Sequence, residues 1–304
     1  MATVAITPSA LRLKKPEFIT EKVMRLALDD HALRRLILDD VPYLDLTTQS
    51  LGIGNAPGRV EIFSRNAMTV CGTEEAARLF ELEGASPQQT LASGTEVGAG
   101  ETLLVAHGAA EPLLIAWKVA QTLIEYASGI ATATSSLVSA VHAAGFNTPV
   151  ACTRKHFPGT KAIAVKAVLA GGAIMHRLGL SETLLVFPEH RAFIAEADFP
   201  LRMAQLKQNC PEKKLVVEVT NTEDALLVAR LGADVVQLEK LLPTELRECK
   251  AALDSASLHP ILAVAGGVTA ANAVDYASAG ADLLISSAPY FSRPMDVKVV
   301  IAPQ

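Results

Sequence analysis

An α/β protein built around a parallel βα barrel is what this sequence predicts, on three observations. Beyond Thr148 short apolar runs follow one another, "PVACTRK", "TLLVF", "KLVVEV", "ADVVQLE", "PILAVAGG" and "ADLLISSA", and such runs read as strands of a parallel sheet covered on both faces. Between them "TEDALLVARLG" and "AANAVDYASAG" carry helical spacing. The echo of "LGADVVQL" in "AGADLLIS" repeats one helix-to-strand unit. A barrel closes such a series most economically, and 304 residues hold a barrel of ~250 residues or less together with a smaller unit.

That smaller unit comes first. Residues 17 to 50 read as helix, stopped at Asp39 and Asp40 and followed by the Pro-marked turn of "VPYLDLTT". "GRVEIFSR" alternates like a strand, and "GTEVGAGETLLVAHG" reads as two short strands punctuated by glycine. From Glu111 to about Gly145 a long helical pattern, interrupted near Ser128 and Gly129, carries Lys118 and bridges into the barrel. A second, apolar helix lies between Lys155 and His176.

Half the residues are hydrophobic, the formal charge is -5 and Lys and Arg form no block, which argues against a nucleic-acid or anionic-membrane surface. The opening "MATVAITPSALRLKKPEF" lacks the apolar run and charge order of a signal peptide. No stretch reaches the ~20 apolar residues of a membrane span. The expected location is the cytoplasm, where Cys71, Cys152, Cys210 and Cys249, which have no metal-ligand spacing, stay reduced.

Strands that all point one way bring their C-terminal residues to one mouth, where barrel enzymes do their chemistry. Those residues are Arg154 and Lys155, Phe187, Glu218, Glu239, then Ala265, Gly266 and Gly267, and Ser286 and Ser287, with His176 and Arg177 in a loop just before the second strand. Glu218 and Glu239 on successive strands suit a shared cation, magnesium with a phosphorylated substrate being the simplest; a salt-bridged or solvated role is the plain alternative. "AGGVTAAN" places glycines between a strand and a helix start, where N–H groups and the helix dipole favour phosphate, although glycines also serve ordinary turns. Arg154, Lys155, His176 and Arg177 supply more positive charge than one monophosphate needs, so a second anionic group is expected.

In order along the chain, "VPYLDLTT", "SGIAT", "TRK", "PG", "HRLGL", "VEVTN" and "GAD" resemble the quinolinate phosphoribosyltransferase (nicotinate-nucleotide pyrophosphorylase) family. "EPLLIAWKVAQ" and "LLVFPEH" look like its divergent ModD branch. The resemblance implies an N-terminal α/β sandwich, residues 1 to 117, joined by the tail 290 to 304, and an incomplete, TIM-like α/β barrel, residues 118 to 289. It also implies a homodimer whose sites use both subunits. By resemblance Thr153, Arg154, Lys155, His176 and Arg177 would bind an acid substrate and phosphoribosyl pyrophosphate (PRPP). Glu218 and Glu239 would face ribose and magnesium-pyrophosphate, with Glu239 where the family usually has aspartate. Ala265, Gly266, Gly267, Ser286, Ser287 and Ala288 would form the phosphate corner. Lys118 falls where the family has an arginine that binds the acid substrate, one placed to reach the neighbouring subunit's site, and Phe187 where it has a lysine.

The reaction implied is transfer of phosphoribose from PRPP to a nitrogen of an aromatic acceptor with release of pyrophosphate, with Lys155, Glu218 and Glu239 as the catalytic set. Two rivals stand beside it: a Schiff-base aldolase using Lys155, and a catalytically weak phosphosugar-binding protein. Phe187 and Lys118 point to an acceptor with fewer negative charges than quinolinate, unless another cation such as Arg191 fills the gap.

Overall fold

A computed structural model describes residues 26 to 304. The opening stretch and the first part of the helix expected over 17 to 50 lie outside the described residues. Helix α1 (Asp30–Asp40) is capped by Asp29, whose carboxylate accepts from Ala32 N at 2.8 Å. After the Pro42 turn a second short helix, α2 (Leu46–Leu51), is capped in the same way by Asp45.

The N-terminal elements continue as β1 (Pro57–Ser64), β2 (Met68–Thr69), α3 (Thr73–Leu82), β3 (Ser86–Thr90), β4 (Glu96–Val97) and β5 (Thr102–Ala109). The alternation of "GRVEIFS" buries Val60, Ile62 and Ser64 on one face of β1. Phe80, Leu79 and Leu104 pack with Val60 and Ile62 in the same core.

Helix α4 (Ala110–Ala143) runs without a break, contrary to the interruption expected near Ser128 and Gly129. Those residues are small because another segment crosses there. A Cβ on Gly129 would stand 2.6 Å from the carbonyl oxygen of Arg293, and Ser128 Oγ accepts from Cys71 N at 3.0 Å. The division expected between 117 and 118 falls inside this helix.

The barrel elements are β6 (Val150–Cys152), α5 (Lys161–Ala170), β7 (Ile174–Met175), β8 (Leu184–Val186), α6 (Pro188–Arg191), α7 (Phe199–Asn209), β9 (Leu215–Val219), α8 (Thr222–Arg230), β10 (Val235–Glu239), α9 (Pro243–Ser255), β11 (Ile261–Ala265), α10 (Ala273–Ser278) and β12 (Leu283–Ser286). Seven parallel strands lie in the order β7-β6-β12-β11-β10-β9-β8. The sheet curls but does not close, since β7 and β8 are its two edges.

Strand β7 is the one strand of the barrel sheet that the apolar runs do not reveal, because it is two residues long. His176 and Arg177 therefore follow a strand of their own, instead of sitting in a loop ahead of the second strand. Inside the curl Leu185, Val216, Val235, Ala263, Ala265 and Ile285 form a small apolar cluster. Outside it Val217, Val236, Leu238 and Val264 pack against the helices.

The last strand, β13 (Val297–Pro303), returns to pair antiparallel with β1, Val60 opposite Ile301. A buried ion cluster ties the two halves: Lys166 on α5 donates to Glu75 at 2.7 and 2.8 Å and to Glu74 at 2.9 Å, both on α3. Burial opposes the charge on Lys166, yet the two carboxylates outweigh it and hold its pKa above the ordinary lysine value. Among the described residues no helix is long and apolar enough to cross a membrane.

Candidate active site

The period of two along β9 and β10 decides which side chains meet. Val217, Val219, Val236 and Leu238 go outward into the helix-facing core. Their neighbours Glu218, Gln237 and Glu239 point into the curl and line a cavity of about 840 Å³ at the C-terminal ends of the strands. Parallel register sets Gln237 opposite Glu218 and Glu239 opposite Ala265. Gln237 Nε2 donates to Glu218 Oε2 at 2.6 Å. Burial first, and the neighbouring Glu239 second, push the Glu218 carboxyl above the usual glutamate range, against the pull of the Gln237 bond.

Of the residues picked out in the sequence, Thr153, Arg154, Lys155, His176, Arg177, Phe187, Glu218, Glu239, Ala265, Gly266, Gly267, Ser287 and Ala288 line this one cavity. Tyr290 fixes the first of them by donating its hydroxyl to Thr153 O at 2.7 Å, and Thr153 Oγ1 accepts from Lys155 N at 3.3 Å. Arg177 is only 7% exposed and makes no ion pair or side-chain hydrogen bond among the described residues. Its guanidinium lies over the Phe187 ring, 5.7 Å from the centroid. Burial and then Arg154 lower its pKa, but a guanidinium stays protonated. An arginine buried without a carboxylate calls for an anion.

His176 departs from expectation. Burial, then Arg177 and Arg154, lower its pKa to about 4, so at neutral pH it is an uncharged imidazole and adds nothing to the cationic wall. Lys240 adds what His176 does not, for it lines the cavity at the end of β10. It does so at φ 60, a left-handed conformation rare for lysine, with its N–H bonded to Ala265 O at 2.8 Å.

At the end of β11, Gly266 has φ 85, and a Cβ there would stand 2.6 Å from both Glu239 Oε1 and Lys240 Cγ. Only glycine lets the end of β10 rest on this turn. The helix expected to follow directly begins later, at Ala273, and spans six residues, so its dipole falls away and the turn itself is left to meet a phosphate.

Two picked residues stand elsewhere. Ser286 is 2% exposed; its hydroxyl donates to Val268 O at 2.6 Å and accepts from Ala288 N at 3.1 Å, which braces the turn that carries Ser287 and Ala288. Lys118 is exposed on α4, bonded to Gln121 Oε1 at 2.9 Å and lying over Trp117, outside the cavity of its own chain. Arg191 does not fill the gap beside Phe187. It turns to Asp224, with contacts at 3.3 and 3.4 Å, and lies over Phe199, lining a separate groove.

This arrangement can be set beside known proteins. The family described as quinolinate phosphoribosyl transferase matches with its N-terminal domain over residues 45–128 and its C-terminal domain over residues 130–300. The chain belongs to the quinolinate phosphoribosyltransferase family. The ModD protein of Rhodobacter capsulatus is 47% identical over 246 residues, 81% of this chain and 95% of the relative. ModD of Pasteurella multocida is 38% identical over 280 residues, 92% and 99% of the two chains. Both are named pyrophosphorylases. The solved nicotinate-nucleotide pyrophosphorylase of Francisella tularensis superposes with a TM-score of 0.81 at 21% identity, covering 94% of this chain and 96% of its own. That likeness bears out the fold, a sandwich joined to an incomplete barrel.

Within this quinolinate phosphoribosyltransferase frame, sequence reasoning overlooked Gln237 and Lys240. A signal for Gln237 was present: it is the one polar side chain inside the apolar run "VVQLE" before the terminal glutamate, two places from Glu239 and so on the same face. Lys240 carries no such signal, because its approach depends on a left-handed turn.

Proposed function

We propose that the chain transfers phosphoribose from PRPP to a nitrogen of an aromatic acceptor and releases pyrophosphate, the reading to which its family membership points. The observation that carries it is the meeting, round one cavity, of unpaired cations, a carboxylate pair and a glycine turn. Phosphoribosyl transfer needs those three things: cations for the departing pyrophosphate, anions near a ribosyl carbon that becomes positive, and a cradle for phosphate. Arg154, Lys155, Arg177 and Lys240 serve the first task, Glu218 and Glu239 the second, and Gly266, Gly267, Ser287 and Ala288 the third. Phe187 with Leu185 and Ile285 offers a flat apolar wall to the acceptor.

Magnesium fits the carboxylate pair, whose mutual repulsion a hard cation would relieve. Among the described residues no group of three or more His, Cys, Asp or Glu could hold a metal, so the remaining ligands would come from the substrate's phosphates and water. Glu218 and Glu239 would hold the ion, and its charge would stabilise the leaving pyrophosphate. We also propose a homodimer, since Lys118 stands outside its own cavity where it could serve a partner's, and residence in the cytoplasm, in keeping with four free cysteines.

The aldolase alternative fits less well, because Lys155 is exposed and a Schiff-base lysine, even with a cationic neighbour such as Arg154, has no use for the carboxylate pair. Calorimetry with PRPP and magnesium, followed by a pyrophosphate-release screen over aromatic acids, bases and amines, tests the proposal. Binding without release with any acceptor would favour a phosphosugar-binding protein, and no binding would refute the reading.

A further inference from the structure

Gln237 is 4% exposed, faces the cavity, and its Oε1 is the one buried side-chain polar atom without a hydrogen-bond partner among the described residues. The direction of its amide follows from its neighbour. An ionised carboxylate only accepts, so the NH₂ must face Glu218, where it donates at 2.6 Å. That leaves the carbonyl oxygen as a fixed acceptor in a place where an unmet polar group is costly.

Its depth matters as much as its direction. Gln237 lies two residues before Glu239 on the inward face of β10, one layer further from the mouth, level with Glu218 and with the small side chain of Ala263. The side chains one layer below it, Val235, Val216 and Leu185, are apolar, and Ala265 and Ile285 line the layer above, level with Glu239. This floor suits a flat ring and excludes a multiply charged sugar phosphate, whose groups belong with the cations and the glycine turn nearer the solvent. The ribose hydroxyls have the two glutamates to donate to.

We infer that Gln237 is a specificity-determining residue for the acceptor: its Oε1 accepts a hydrogen bond from an N–H on the aromatic substrate, so the favoured acceptor is a heterocycle that bears an amide, amine or ring N–H. This deepens the phosphoribosyl-transfer reading and rests on it. It adds a positive requirement to the deficit of charge beside Phe187. A site built round such an acceptor penalises a substrate that lacks the donor, because the carbonyl is then buried unpaired.

The test compares acceptors of nearly equal shape that differ in the donor: the N-methylamide of nicotinic acid against its methyl ester, and aminopyridine carboxylates against their methylpyridine counterparts. Pyrophosphate release from PRPP is measured with wild type, Gln237→Leu and Gln237→Met, and PRPP affinity by calorimetry on the same samples. The N–H-bearing members are expected to be preferred by about ten-fold or more in kcat/KM, and both variants to shrink that ratio to near unity, whatever loss of rate or PRPP affinity the two members share. Because loss of the Glu218 contact slows every acceptor alike, the ratio isolates Oε1, and two variants guard against misfolding of one. The inference is overturned if no N–H-bearing acceptor outdoes its partner, or if the preference survives in both variants. If wild type fails to bind PRPP at all, the phosphoribosyl reading fails first, and visibly so.

Discussion

Replacing Phe187 by lysine probes the acceptor wall directly. The Arg177 guanidinium stands 5.7 Å from the centre of the Phe187 ring and is buried without a counter-ion among the described residues. An ammonium placed where the ring now lies would sit ~6 Å from it, and at an effective dielectric constant of about 20 two such charges repel by roughly 3 kcal/mol. The lost cation–π contact adds about 0.5–1 kcal/mol. Free Phe187→Lys should therefore melt lower than wild type. A dianionic acceptor reverses the balance, because its second carboxylate gains a charge-assisted partner for ~1.5 to 3 kcal/mol, one to two decades in affinity. Pyrophosphate release with quinolinate, with thermal melts with and without that ligand, measures both halves. Wild type is expected to use quinolinate poorly, and the variant to gain ten-fold or more, in line with about 1.4 kcal/mol per decade. If wild type already turns quinolinate over at ~10⁴ M⁻¹s⁻¹ or better, or if the lysine brings no gain, the reasoning from Phe187 is wrong.

Glu218→Gln should abolish pyrophosphate release yet melt no lower than wild type. A carboxyl whose folded pKa is raised costs stability when ionised at neutral pH, so removing its charge relieves the fold. Wild-type turnover should also fall on the acid side at a pH above the ordinary glutamate range, as Glu218 takes up its proton; a flat profile there argues against the ionised form. His176 has a folded pKa of about 4 against 6.5 unperturbed, so the unfolded chain binds the proton first. Stability should decline as pH falls through that window, and His176→Asn, followed by urea titrations at several pH values, should flatten the decline. Lys166→Met leaves Glu75, fully buried, without its cation, and a cost of ~3–5 kcal/mol in urea unfolding is expected; less than ~1 kcal/mol would mean that the cluster has relaxed or taken up water.

Local pattern alone located most of the chemistry. The strand-end residues Arg154, Glu218, Glu239 and Gly267 could be placed at one mouth because parallel strands of apolar residues have a direction, and alternation on each strand fixes which side chains face inward. The return of the tail to the first sheet was legible only through resemblance, since nothing in "VKVVIAP" itself names a partner strand. Tertiary structure decided the rest. Strand β7 is too short to show a period, so the place of His176 depended on pairing with β6. The charge of His176 depended on burial beside two arginines, which sequence neighbours alone do not determine. Gly129 looked like a helix breaker, yet it is the point where the backbone of Arg293 crosses an unbroken helix. Lys118, Ser286 and Arg191 all have suitable chemistry, but each has its partners elsewhere. The physical reason is common to these cases: residue type and period set what a side chain can do and which way its strand turns it, whereas its charge state, its partners and the cavity it reaches come from segments far away in the chain, which only packing brings together.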